Sequence, residues 1–242
     1  MDVRRETVWG QSHAGHKRSS NEDRFLIHRL PGSQAVVLAV ADGMGGEAGG
    51  EIAAQIVIDA IEQSQIARYA TEQDLTRILK RAGQQIMEKA EEKPGLLDMG
   101  TTATVALVRE KTVYWSHSGD SRLYRFRKGF LEQITTDHTF VEDLVKEGTL
   151  SREEADRHPL RNMLDQCVGC ANLNAESGRF GLIPGDRLLL CSDGLTRHLS
   201  DRQIQTAIES GTTRQTAAIL IDQALSAGGK DNVTVVIMDI DV

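Results

Sequence analysis

The chain has 242 residues, 40% hydrophobic and 26% charged, and its 28 lysines and arginines stand against 35 aspartates and glutamates for a net charge of -7. That apolar share is too high for a disordered acidic chain, and three cysteines are too few for a disulfide scaffold. The carboxylate surplus argues against non-specific binding to a phosphate backbone, so a globular protein remains whose acidity needs a reason.

Residues 1–20 contain no apolar stretch of secretory type, and the longest apolar run, Ala35 to Ala41, is too short to cross a bilayer. A cytoplasmic location is expected, and the unpaired cysteine count fits it. Six segments rich in Val, Ile, Leu, Tyr and Thr read as strands: Ala35 to Ala41, Thr101 to Val108, Thr112 to His117, Leu123 to Phe126, Arg187 to Cys191 and Val233 to Ile240. Helical spacing predicts long helices over Gly50 to Gln63 and Asp74 to Glu92. Shorter helices fit Phe140 to Glu147, Arg152 to Arg157, Asp201 to Glu209 and Thr213 to Ser226, and Ser151 with Glu154 has capping-box spacing before the second of these. No Ser/Pro/Gly linker or internal repeat divides the chain, so residues 1–242 are expected to form one domain. Pattern alone gives a layered α/β or α+β architecture without choosing between them.

Several carboxylates occur where an apolar strand meets a glycine-rich turn: Asp42 in VADGMGG, Asp120 in HSGDSR, Asp193 in LLLCSDG and Asp231 in GGKDN. A fifth group, RSSNED, places Glu22 and Asp23 ahead of an apolar segment. One such aspartate alone reads as a turn cap. Four together fit a hard-metal site, because strand ends converge and clustered carboxylates repel unless cations lie between them.

The motifs RSSNED, DGMGG, MGTT, GDSRLY, QITTDHT, HPLRN, LLLCSDGL and GGKDNVTVV follow one another from Arg18 to Val236. In that order they resemble the metal-dependent serine/threonine phosphoprotein phosphatases, the PPM or PP2C-like family, in its compact bacterial form. The resemblance implies an α+β fold, a four-layer αββα sandwich with a central antiparallel β-sandwich flanked by helices. It implies Mn²⁺ or Mg²⁺ as cofactor, two ions tightly bound and a third more weakly. Asp42 falls on the residue bridging two metals, and Gly43 on the one lending its carbonyl. Asp193 and Asp231 fall on ligands of one metal, and Glu22 on a carboxylate of the other. Asp120 matches the ligand of the third metal, shared with the Asp193 position. Arg18 matches the arginine that grips substrate phosphate, and Asn232 a supporting neighbour. Arg18 and Asp42 are thus the expected catalytic residues.

Those residue types suit phosphate-ester hydrolysis, since two hard cations clamp the ester and acidify an attacking water, while a guanidinium matches phosphate in two-pronged fashion. Met44 stands where eukaryotic members carry a histidine, and methionine cannot donate a proton. A water is then the expected acid, with His117 and His138 as weaker candidates.

Blander readings stand beside these. Arg18 could belong to a solvated basic turn, Asp23 could be structural, and Asp120 could pair with Arg122. Arg161 could contact phosphate or the flap, or form a structural ion pair. Cys167 and Cys170 have the spacing of a redox pair or half a zinc site, with packing or turn cysteines as the expected reading. Residues Asp137 to Asn162 correspond to the family's variable flap beside the cleft. The expected partners are phosphorylated proteins, including a Ser/Thr kinase and its forkhead-associated or other target, as in type VI secretion clusters. Nucleic-acid and membrane partners are not expected, and the protein is expected to be a monomer. A small-molecule phosphomonoesterase and a catalytically silent metal-binding regulatory module are the alternatives.

Overall fold

The computed structural model describes residues 7–45, 49–64, 66 and 70–241. Gly46 of the DGMGG motif lies outside them. In chain order the elements are β1 (Val8–His13), β2 (Asp23–Arg29), β3 (Val36–Met44), α1 (Gly49–Gln63), α2 (Glu72–Glu91), β4 (Gly100–Thr101), β5 (Ala103–Arg109), β6 (Thr112–Ser118), β7 (Arg122–Arg127) and β8 (Phe130–Gln133). There follow α3 (Phe140–Lys146), α4 (Arg152–Arg157), β9 (Glu176–Gly181), β10 (Arg187–Cys191), α5 (Asp193–Thr196), α6 (Asp201–Ile208), α7 (Thr213–Ser226) and β11 (Val233–Asp239). The strands pair antiparallel in two sheets, ordered β1-β11-β10-β7-β8 and β2-β3-β5-β6-β9, with β4 added against β3.

Strand alternation builds the layers. In β3, Val37, Ala39 and Ala41 pack against Val57 of α1 and Leu79 and Ile86 of α2. Val36, Leu38 and Val40 face the other way and meet Leu188, Leu190 and Val236 of the second sheet. The second sheet does the same in mirror order, since Leu189, Val235 and Ile237 pack against Ile204 of α6 and Leu220 of α7. Helices, sheet, sheet and helices therefore stack in four layers, the αββα sandwich within the α+β class. Strands buried on both faces show continuous apolar runs instead of alternation, which is why β3, β10 and β11 stand out in the sequence.

The expected helices form with ends displaced by two residues or fewer. Helix α2 starts at a capping box in which Asp74 accepts from the Thr71 backbone N–H at 2.8 Å. One expectation needs correction. Cys167 and Cys170 are joined in a disulfide, with Cα atoms 5.2 Å apart across a tight turn closed by the Cys170 N–H to Cys167 carbonyl bond. They are not simple packing cysteines, and the cysteine count loses its value as an argument for a reducing compartment. Cys191 is free and buried, and burial pushes its thiol up to about 12. Among the described residues no helix is long and apolar enough to cross a membrane.

Candidate metal centre

Asp42 lies near the end of β3, where its backbone is clamped. Its N–H donates to Thr102 Oγ1 at 3.0 Å, and its carbonyl accepts from the Thr102 N–H and the Thr101 hydroxyl, both at 2.9 Å. Thr102 Oγ1 also lies 2.6 Å from Ser121 Oγ, beside Asp120. The MGTT motif is thus the clamp that sets Asp42 against the GDSR turn. Across the β2–β3 ladder Asp23 stands directly opposite Asp42.

The other sheet delivers Asp193 and Asp231 on neighbouring strands. Asp193 opens α5 just past β10, and Asp231 lies just ahead of β11, which pairs with β10. A Cβ on Gly194 would overlap the Asn232 carbonyl oxygen, so only glycine after Asp193 lets the two segments come this close. The same holds where Gly43 and Gly50 meet: a side chain on Gly43 would strike the Gly50 carbonyl, and one on Gly50 would strike Glu22 Oε2. Glu22 is thereby brought up to the Gly43 backbone. The Asn232 amide secures that loop, accepting from the Glu22 N–H at 2.8 Å and donating to the Ala14 and Ser20 carbonyls, both at 2.9 Å.

Two arginines sit among the carboxylates. Arg18 grips Asp231 with two nitrogens, Nε to Oδ1 at 2.9 Å and Nη2 to Oδ2 at 3.0 Å, while its own side chain is 56% exposed. Arg197 reaches Asp193, Asp120 and Asp231 together. The suggested pairing of Asp120 with Arg122 does not occur: Arg122 forms a bidentate pair with Asp137 at 2.7–2.8 Å, and Asp120 is buried facing Arg197. Asp23, left as structural by the sequence, is buried beside the centre; its Oδ2 accepts from the Ser192 and Thr234 hydroxyls at 2.8 and 2.7 Å. Arg161 is exposed on the flap.

His117 is not available as an acid. Its Nε2 donates to the Thr136 carbonyl at 3.2 Å, its Nδ1 lies 2.8 Å from the Thr104 hydroxyl, and burial pulls its pKa down to about 3. The His138 ring packs 4.8 Å away and accepts from the Gly119 N–H at 3.3 Å, and burial lowers its pKa too.

The carboxylates carry the mark of crowding. Burial, reinforced by the charge of Asp193, pushes Asp120 up to about 8. Burial likewise takes Asp23 and Asp193 up to about 6, and puts Asp42, with Asp23 and Asp193 beside it, well above the usual carboxylate range. Among the described residues, no three His, Cys, Asp or Glu side chains are grouped to hold a metal ion as they stand. The residues nonetheless fit a divalent cation. Asp193 Oδ1 and Asp23 Oδ1 are buried without a hydrogen-bond partner, and the available donors are all oxygens, the set that hard cations prefer.

A pH dependence follows. A carboxyl whose folded-state pKa is raised binds its proton more tightly in the folded chain, so its contribution to stability is present below pH ~4 and is lost as pH rises through the raised value. The window runs from about 4, the ordinary aspartate value, to about 8 at Asp120. In chelator-stripped protein, the melting temperature is expected to fall between pH 5.5 and pH 8 relative to the Mn²⁺-loaded protein, as read by scanning calorimetry in matched buffers. A gap between the two forms that stays constant over this range would contradict the crowded-carboxylate account.

Comparison with known proteins agrees with this geometry. Residues 9–227 match the family described as Protein phosphatase 2C. The serine/threonine protein phosphatase PstP of Mycobacterium tuberculosis is 38% identical over 232 residues, covering 95% of this chain; the chain spans only 44% of that relative's length. The crystal structure of the PstP catalytic domain with two manganese ions superposes with a TM-score of 0.87 at 35% identity, covering 97% of this chain and 98% of that one. The serine/threonine phosphatase Stp of Listeria monocytogenes is 33% identical over 238 residues, 94% of this chain and 93% of its own. PppA, described as a key regulatory component of the type VI secretion system in Pseudomonas aeruginosa, has a TM-score of 0.83 at 29% identity, covering 96% of each chain. The sheet order, the acidic centre and these matches lead to one assignment: the chain belongs to the protein phosphatase 2C family of metal-dependent serine/threonine phosphatases.

Proposed function

We propose that the protein hydrolyses phosphoserine and phosphothreonine in other proteins at a centre of two divalent cations, Mn²⁺ or Mg²⁺, held by Glu22, Asp42, the Gly43 carbonyl, Asp193 and Asp231. The observation that carries this reading is the convergence of Asp42 and Asp193 from opposite sheets, with Asp193 Oδ1 buried and unpartnered between them and Arg18 at the rim. Cations bound there supply Lewis acidity toward a phosphate monoester and an acidified water as nucleophile. Asp42 would be the carboxylate shared between the cations; Asp23, fixed by Ser192 and Thr234 through Oδ2, would offer Oδ1 as an acceptor that orients water. Arg18, paired with Asp231 at the rim and 56% exposed, is the guanidinium that would bind two oxygens of the substrate phosphate.

The wider setting is part of the proposal. One catalytic domain spanning residues 1–242 works as a cytoplasmic monomer, without nucleic-acid or membrane partners. It opposes a bacterial Ser/Thr kinase of eukaryotic type that acts on a forkhead-associated or other target, and a type VI secretion cluster is one such setting, PppA being a 29% identical relative from that system. Substrate class is tested by comparing kcat/KM on phosphothreonine peptides with that on sugar and nucleotide phosphates. Preference for the peptides by at least about 100-fold is expected, the scale that missing contacts to a recognised group produce. Equal or faster turnover of the small esters would point to a small-molecule phosphomonoesterase instead.

A further inference from the structure

We infer that Arg197 is a built-in cation that occupies the position between Asp120 and Asp193, so that this chain binds two divalent metals and excludes a third. The inference rests on the two-cation centre proposed above and changes what the resemblance implies about its occupancy. Arg197 follows Asp193 by one helical turn, and its N–H bonds to the Asp193 carbonyl at 2.8 Å, which fixes where the side chain starts. A single nitrogen, Nη2, then contacts Oδ2 of Asp193 and Oδ2 of Asp120, the latter at 3.3 Å. These are the two carboxylates that a third cation would have to share. The other nitrogen, Nη1, lies 3.5 Å from Asp231 Oδ2.

The arrangement leaves one Asp193 oxygen to the two-metal centre. Arg197 uses only Oδ2 of Asp193, and Oδ1 stays buried and without a partner, beside Asp42. Asp193 can thus serve a guanidinium on one oxygen and a metal on the other. A divalent ion at the same Asp120 and Asp193 oxygens would meet a fixed positive charge at contact distance, and two like charges that close in a partly buried site are strongly disfavoured. Asp120 is 8% exposed, and Arg197 is the cation placed at its carboxyl group, one that does not exchange with solvent.

The test is the number of Mn²⁺ ions bound per chain, read by equilibrium dialysis and elemental analysis up to millimolar free Mn²⁺, with no reference to turnover. The wild-type protein is expected to bind two, Arg197→Lys two, and Arg197→Gln a third and weaker one that disappears when Asp120→Asn is added. Three ions in the wild type, or only two in Arg197→Gln, would overturn the inference while leaving the metal centre standing. A wild type that binds no Mn²⁺ would instead overturn the metal centre and this inference with it. If Arg197→Gln does not fold, Asp120→Asn alone decides: an unchanged count of two agrees, and loss of a weak equivalent contradicts.

Discussion

Replacing Asp42 by asparagine is expected to lower kcat on a phosphothreonine peptide by on the order of 10³-fold at saturating Mn²⁺, the scale of removing one electrostatic element from a site that stabilises developing charge. The substitution keeps the shape of the side chain and the backbone clamp from Thr101 and Thr102. It removes the negative charge that two cations would share. The metal-free fold should not suffer, because burial and the neighbouring aspartates already favour the neutral form of Asp42. Calorimetry should therefore show a chelator-stripped Asp42→Asn protein that melts no lower than the wild type at pH 8, and that gains little from added Mn²⁺. Turnover within a few-fold of wild type at saturating Mn²⁺ would remove Asp42 from the centre.

Arg18 should show a different signature. Arg18→Lys is expected to lower kcat/KM on phosphopeptides by about 10- to 100-fold, the cost of losing charge-assisted hydrogen bonds to the phosphate. Much of it should appear in KM, since a lysine keeps the charge but not the two-pronged geometry. Stability should barely change, because the pair with Asp231 is largely exposed on the arginine side and such pairs contribute ~0–1 kcal/mol. Steady-state kinetics of Arg18→Lys beside Arg18→Ala checks this. If both variants leave KM and kcat at wild-type values, Arg18 is a solvated turn residue.

The parts of the fold legible in the sequence are those whose side chains face apolar layers on every turn or on both faces. Helices α1 and α2 announce themselves by spacing, and β3, β10 and β11 by unbroken apolar runs. Strands β1, β8 and β9 do not, because they are half-buried edges or near-edges with polar and glycine residues. In β9, Gly178 interrupts the strand signal for a tertiary reason: it lies under the Trp115 ring, which leaves no room for a side chain. Local propensity cannot report a neighbour sixty residues away.

The site divides along the same line. Asp42, Asp120, Asp193 and Asp231 are visible because each sits at or next to a strand end beside glycine or asparagine, where a carboxylate interrupts the apolar run. That they converge depends on β10 and β11 being neighbours and on β3 facing them from the other sheet, which is a property of topology. Asp23 was hidden by its neighbour Glu22. Period-two counting along β2 would have found it, since Asp23 shares the inward face with Phe25 and Ile27. Arg197 was hidden because a four-residue helix leaves no periodic trace; only the spacing of four from Asp193 signals it.

The central claim is that this acidic centre works as a metal-dependent phosphoprotein phosphatase site. It is tested most directly by phosphate release from a phosphothreonine peptide, followed with and without Mn²⁺ in the wild type and in Asp193→Ala. Release that requires Mn²⁺ and is lost in Asp193→Ala, with both proteins folded, is the predicted result. No release under any divalent metal, or release by Asp193→Ala at the wild-type rate, would contradict it.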